Sequence, residues 1–206
     1  MLAMYGIGID IGGTKIAVVL GTDRGRILER EVFPTPHGKA VPSVFLTLQQ
    51  TVHRLLKKQR LTLKQIHRVG VGVPGLFNDQ KGMVEESPNL KDWVGIPLRK
   101  KLQTTFRRPV RIENDANATA LAEKHFGSGR GLDTFIYLTV STGIGSGVVV
   151  NGRLHRGISG SAGEVGHSIV DPRGWKNHLS IRGTLEGESS GTAIARKARE
   201  RLKTRK

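Results

Sequence analysis

The stretch Tyr5-Gly6-Ile7-Gly8-Ile9-Asp10-Ile11-Gly12-Gly13-Thr14-Lys15-Ile16-Ala17-Val18-Val19-Leu20 decides how this chain folds. Tyr5 to Ile11 alternates glycine with branched apolar residues, and Ile16 to Leu20 is a continuous apolar run. Gly12 to Lys15 between them is a tight turn, so the reading is strand, turn, strand. A second turn at Gly21 to Gly25 and a third strand from Ile27 to Phe33 make three hairpin-linked strands.

The same unit recurs further on. Thr134 to Val140 reads as a strand, Ser141-Thr142-Gly143 as a turn and Ile144 to Val150 as a second strand, with Asn151-Gly152 a favoured hairpin turn. The repeat predicts two α/β domains facing a cleft, residues 1–126 and 127–206, joined through Gly127-Ser128-Gly129-Arg130-Gly131. Between the repeats, Val44, Phe45, Leu48, Val52, Leu55 and Leu56 have helical spacing and predict a helix over 41–58, with Pro42 in its first turn. A strand over 68–73, a helix over 98–106, a strand over 109–113 and an alanine-rich helix over 117–126 follow. A helix over 188–203 closes the chain, with Ser189 or Ser190 near its start.

Bulk properties narrow the function classes. The 206 residues contain no cysteine, which excludes disulfides, thiolate zinc sites and a cysteine nucleophile. No apolar run approaches the roughly 20 residues needed to span a bilayer. The first five residues lack the charged start and cleavage site of a secretory signal, so a soluble cytoplasmic protein is expected. Lys and Arg number 33 against 17 Asp and Glu, a formal charge of +16. That excess reads as a solvated surface rather than a nucleic-acid interface, because no aromatic residues interleave with the cluster from Arg196 to Lys206 to stack bases.

Each glycine turn carries chemistry. In Asp10-Ile11-Gly12-Gly13-Thr14-Lys15, glycines leave backbone N–H groups unobstructed, a concave site for an anion. Thr14 adds a hydroxyl and Lys15 a charge, while Asp10 is placed to hold Mg²⁺ through water. Alone, such a turn reads as a structural hairpin. Its value comes from the partner Thr139-Val140-Ser141-Thr142-Gly143-Ile144-Gly145-Ser146-Gly147, where Thr142 and Gly143 repeat the chemistry. Two such turns suit the phosphates of one nucleotide, and neither has the spacing of a dinucleotide-binding or Walker loop.

Glu113-Asn114-Asp115-Ala116-Asn117 lies where a strand hands over to a helix. Asp115 there is either a helix N-cap or a general base that takes a proton from an attacking hydroxyl. Asn114 can donate to and accept from hydroxyl groups. Gly163-Glu164-Val165-Gly166-His167 and Glu186 supply a further carboxylate–imidazole group suited to a polyol. A buried hydroxyl left unpaired costs about 1–3 kcal/mol, so a polyol site needs such convergent partners.

Taken together these segments resemble the ROK family of sugar kinases and sugar-responsive repressors. Asp10 to Lys15 is similar to the family's first phosphate motif, and Val73-Pro74-Gly75 to its sugar loop. Glu113 to Glu123 resembles the catalytic segment, Ser141 to Gly147 the second phosphate motif, and Gly163 to His167 the signature Glu-x-Gly-His. The resemblance implies an actin-like, ribonuclease H-like ATPase fold and an ATP-Mg²⁺-dependent glucokinase-like enzyme, with Asp115 as the base acting on a hexose 6-hydroxyl. It implies Asn114, Glu164, His167 and Glu186 on the other hydroxyls, with Gly75 and Asn89 lining the pocket.

Two departures alter that expectation. The resemblance implies a zinc site of one His and three Cys, as in most of the family. The corresponding stretch here, Asn177-His178-Leu179-Ser180-Ile181-Arg182-Gly183-Thr184-Leu185-Glu186, has lost every thiolate. Zinc is therefore not expected, and His167 is expected to serve the sugar directly. The second domain is also expected to be truncated, which leaves a catalytically impaired sugar-binding fragment as one alternative to the kinase; a sugar-responsive regulator of the same family is the other. Exposed apolar surface would then favour a homodimer.

Overall fold

The computed structural model describes residues 4–87, 89–177 and 180–203. It divides into two compact units between Ala118 and Thr119.

The first unit is built on β1 (Tyr5–Ile11), β2 (Lys15–Thr22), β3 (Ile27–Pro34), β4 (Ile66–Val73) and β7 (Val110–Asn114), in sheet order β3-β2-β1-β4-β7. The first three strands form an antiparallel meander. β4 and β7 then run parallel to β1. Three antiparallel strands continued by parallel ones, in this order, make the sheet of the actin-like ATPase fold.

Alternation decides which face is buried. Ile7, Ile9 and Ile11 of β1, Ile16, Val18 and Leu20 of β2, and Val69, Val71 and Val73 of β4 all point to one side and are at most 4% exposed. Against them pack Leu48, Val52 and Leu55 of α1 (Val44–Lys58) and Leu98, Leu102 and Phe106 of α2 (Leu98–Phe106). The helix predicted from residue 41 starts three residues later. Pro42 lacks an N–H to donate, and residues Gly38–Ser43 wind as a 3-10 segment instead.

The hairpin β5 (Leu76–Asn78) and β6 (Met83–Glu86) follows β4; its residues are too few for period-2 alternation to reveal it from sequence. Helix α3 (Asp115–Phe126) starts directly on the end of β7 and crosses from the first unit into the second.

In the second unit, β8 (Phe135–Val140), β9 (Ile144–Val150) and β10 (Arg153–His155) form an antiparallel sheet in the order β10-β9-β8. Asn151 and Gly152 both have positive φ, 50° and 73°, as the predicted primed hairpin turn demands. The predicted final helix is two pieces, α4 (Leu185–Ser189) and α5 (Gly191–Lys203). Ser190 is extended at the break, and its Oγ accepts the Ala193 N–H at 3.2 Å, capping α5. Ile136, Leu138 and Val140 stand exposed along β8.

Candidate functional site

Strand register places the acidic groups of the first unit. Asp10 on β1 lies beside Gly72 on β4, and Gly72 beside Glu113 on β7. All three are at the carboxyl ends of parallel strands, where α/β folds bind ligands. Gly72 leaves the row open: a Cβ there would sit 3.6 Å from Asp10 Oδ1 and 3.7 Å from Asp115 Cα. Asp10 keeps contact with solvent, yet the surrounding protein pushes its carboxyl above the ordinary value, and Lys15 and Arg30 offset that only in part.

Asn114 determines how Asp115 is presented. Its Oδ1 accepts the N–H groups of Ala116 at 2.9 Å and Asn117 at 3.1 Å, so Asn114 is the cap of α3. Its Nδ2 donates to the Gly75 carbonyl at 3.2 Å, which ties β7 to the turn after β4. Of the two readings open for Asp115, the helix cap thus falls to its neighbour. Asp115 opens the helix with an exposed carboxylate, and its Oδ1 accepts the Ala116 N–H at 2.9 Å. Gly75 has φ +91°, and a Cβ would lie 2.1 Å from the Glu86 carbonyl, so only glycine fits.

The first glycine turn is braced from behind. Gly12 N–H donates to the Lys15 carbonyl at 3.0 Å. Thr35, 6% exposed, donates its hydroxyl to the Gly12 carbonyl at 2.6 Å and its N–H to the Thr14 carbonyl at 3.0 Å. Among the described residues no protein acceptor takes the N–H of Gly13 or Thr14. Asn89 packs on this turn: a Cβ on Gly13 would be 2.9 Å from Asn89 Cβ.

The second turn repeats the pattern within the second unit. Ser141 and Thr142 carbonyls accept from Gly191 N–H and Thr192 Oγ1 of α5, both at 2.8 Å. Glu186 supports the same turn, since its Oε2 accepts the Ile144 N–H at 3.0 Å and lies 2.3 Å from where a Gly143 Cβ would be. Gly166 is packed equally closely: its missing Cβ would be 2.3 Å from the Ile144 carbonyl and 3.6 Å from Glu186 Cβ. His167 Nε2 lies 3.6 Å from Glu164 Oε2. Glu186 thus lies against Gly143 and Ile144, and Gly166, between Glu164 and His167, packs on the same Ile144 and on Glu186.

The stretch aligned with the family's zinc segment is closed by backbone bonds. Val170 and Asp171 N–H groups both donate to the Gly183 carbonyl, Gly183 N–H donates to Trp175, and Asn177 N–H donates to Ile181. Among the described residues no three His, Asp or Glu side chains are grouped to hold a metal; His178 lies outside them.

Two residues escaped the sequence reading. Gly72 looked like one more glycine of a buried strand, and only the register across three strands sets it between two aspartates. Thr35 follows β3 with no motif around it, and its role needs the hairpin closed.

Comparison with known proteins then places the chain. The ROK family matches residues 6–206. A glucokinase of Thermotoga maritima is 39% identical over 197 residues, covering 96% of this chain and 61% of the relative. A xylose repressor of Caldicellulosiruptor bescii is 38% identical over 165 residues, covering 80% of this chain and 41% of the repressor. The crystal structure of a ROK glucokinase from Streptomyces griseus with glucose and AMPPNP superposes with a TM-score of 0.79 at 34% identity, covering 97% of this chain and 62% of that one. The chain thus spans about three fifths of the length of the glucokinases it matches. It belongs to the ROK family.

Proposed function

We propose that this chain carries the sugar- and phosphate-binding part of an ATP-dependent hexose kinase that phosphorylates a hexose at its 6-hydroxyl. One observation above all supports the reading: Asp10 and Asp115 flank a single glycine at the carboxyl ends of parallel strands. Phosphoryl transfer asks a protein mainly to position groups and spread charge. In this reading Asp115 accepts the proton of the attacking hydroxyl. Asp10 would hold Mg²⁺ through water, beside the open position at Gly72. Bound with the nucleotide, that ion would neutralise phosphate charge. Gly12, Gly13, Thr14 and Lys15, with Thr142 and Gly143, are the proposed phosphate-binding residues. Gly75, Asn89 and Asn114 in the first unit, and Glu164, His167 and Glu186 in the second, are the proposed sugar-binding residues.

The glucokinases among the relatives favour this reading, as does AMPPNP in the Streptomyces griseus structure. A cytoplasmic setting fits it, and no described helix is long and apolar enough to cross a membrane. A homodimer also fits, supported by the exposed apolar row on β8. The test is ADP release with Mg²⁺-ATP and a panel of hexoses, with Asp115→Asn alongside. Turnover that requires one sugar and vanishes in the variant is expected; a fully active variant would sink the assignment.

A second reading, a sugar-responsive regulator, draws on the similarity to xylose repressors. It predicts sugar binding by calorimetry without ADP production, and a steeply salt-dependent affinity for a specific operator.

A further inference from the structure

Three consecutive carbonyls of the first glycine turn are held from one short segment after β3. Thr35 takes the Gly12 and Thr14 carbonyls. The Gly13 carbonyl goes to His37, whose Nε2 lies 3.1 Å away and, facing an acceptor, carries the proton. The backbone after His37 is itself held: Asp92 Oδ2 accepts the Gly38 N–H at 2.8 Å, and the same oxygen lies 3.7 Å from His37 Nδ1. Trp93, 1% exposed, donates Nε1 to the Pro36 carbonyl at 3.3 Å. The segment from Thr35 to Gly38 is thus clamped by two adjacent residues of one turn, just after the Asn89 that packs on Gly13.

Peptide geometry gives these bonds a consequence. A trans peptide is planar, with its C=O and the following N–H on opposite sides. Fixing the Gly12 carbonyl therefore fixes the direction of the Gly13 N–H, and fixing the Gly13 carbonyl fixes that of the Thr14 N–H. These are the two donors that find no acceptor among the described residues. The buttress turns them away from Thr35 and His37 and leaves both donors open to an anion. His37 controls the second.

We infer that His37 is a positioning residue for phosphate: it aims the Thr14 N–H at the phosphates of a nucleotide without touching them. This rests on the reading of Gly12 to Lys15 as a phosphate-binding turn. His37 is more than half exposed, so replacing it leaves the core intact.

The test compares the full chain with His37→Ala and His37→Gln, measuring Mg²⁺-AMPPNP and glucose affinity by calorimetry. Amide exchange at Gly12 and Thr35 is followed in the unliganded proteins. Loss of one hydrogen bond predicts AMPPNP affinity weakened about 3- to 10-fold in His37→Ala, with glucose affinity unchanged. The Gly12 and Thr35 amides, bonded to and across this turn, should exchange faster in the same variant. Glutamine presents an N–H at a similar distance and should restore both. Unchanged AMPPNP affinity in His37→Ala, or equal loss for glucose, overturns the inference. Wild-type protein that binds no AMPPNP overturns the phosphate reading beneath it, a failure distinguishable because none of the three proteins would then bind while amide exchange still reports on the His37 bond.

Discussion

Asp10 and Asp115 approach each other across a side chain that is not there: the point where Gly72 lacks a Cβ is 3.6 Å from Asp10 Oδ1 and 3.7 Å from Asp115 Cα. The gap arises from register alone. Asp10 and Gly72 are neighbours across β1 and β4, Gly72 and Glu113 across β4 and β7, and Asp115 opens the helix two residues later.

That relationship predicts a substitution with separable effects. A single methyl at Gly72 meets both aspartates at ordinary van der Waals distance, so Gly72→Ala should fold with a melting temperature near that of the wild type. Gly72→Val puts branched carbon into the space proposed for the ion and the reacting hydroxyl. Misplacing reacting groups by about an ångström can cost on the order of 100-fold in rate. ADP release should therefore fall by about that factor in Gly72→Val and by less in Gly72→Ala, while circular dichroism stays unchanged. A valine variant with wild-type turnover would show that the gap is not used.

Asp10 should trade stability for function. Burial raises its carboxyl above the ordinary value of 3.8, so the fold resists the charged form. The sign follows: in the folded state the group binds its proton more tightly than in the unfolded chain, and stability is lost as pH rises through the raised value. At neutral pH the ionised Asp10 thus opposes folding. Asp10→Asn should melt higher than wild type at pH 7, since Lys15 and Arg30 offset the burial penalty only in part. The same variant should lose Mg²⁺-dependent turnover. A melting temperature that falls at pH 7 would contradict the burial argument.

How much of this was legible in the sequence depends on distance along the chain. The β1–β2 hairpin, α2 and the Asn151-Gly152 turn could be read because periodicity and turn chemistry are local, and α2 spans the residues its pattern gives. Boundaries failed where local chemistry was itself at odds: Pro42 turned the predicted first turn of α1 into a 3-10 segment, and Ser190 split the final helix with a cap of its own. The β5–β6 hairpin had strands too short to show a period. Site geometry was the least accessible. Residue types marked Asn114, Asp115 and Glu186 as polar groups with work to do, but not that Asn114 caps α3 or that Glu186 holds the second glycine turn.

Asn114 offers a way to divide its two tasks. Asn114→Ala removes the α3 cap and the tie to Gly75 together, and losing a cap alone costs about 0.5–2 kcal/mol. Asn114→Asp keeps an oxygen for the Ala116 and Asn117 N–H groups but turns the donor facing the Gly75 carbonyl into an acceptor. Urea unfolding should show the alanine variant destabilised through helix and loop. The aspartate variant should report the loop alone, about 1–3 kcal/mol for a carbonyl left unpaired. Equal stability of aspartate and wild type would mean that the Gly75 tie carries no weight.

Gly75 should tolerate no side chain at all. Its φ of +91° costs a non-glycine residue about 1–3 kcal/mol in backbone strain. The Cβ would also stand 2.1 Å from the Glu86 carbonyl, so β6 must move as well. Gly75→Ala should lower stability by more than the strain alone and weaken sugar binding through Asn114, which donates to the Gly75 carbonyl. A variant with native stability and glucose affinity would refute the close approach.

The second unit should carry an acid-sensitive clasp. Glu188 accepts from Lys197 Nζ at 2.6 Å and from the Trp175 N–H at 2.7 Å, while Arg196 lies 4.5 Å over the Trp175 ring. The lysine bond, and after it the backbone bond, hold the Glu188 carboxyl below its ordinary value of 4.5. A depressed carboxyl contributes stability that is complete above the unfolded value and disappears as pH falls through the folded one. Above about pH 5, wild-type protein should therefore melt higher than Glu188→Gln. Glutamine still accepts the Trp175 N–H but offers lysine no charge. The two curves should converge as pH drops below the folded value. An offset between them that stays constant down to the acid limit would show that the clasp acts through shape rather than charge.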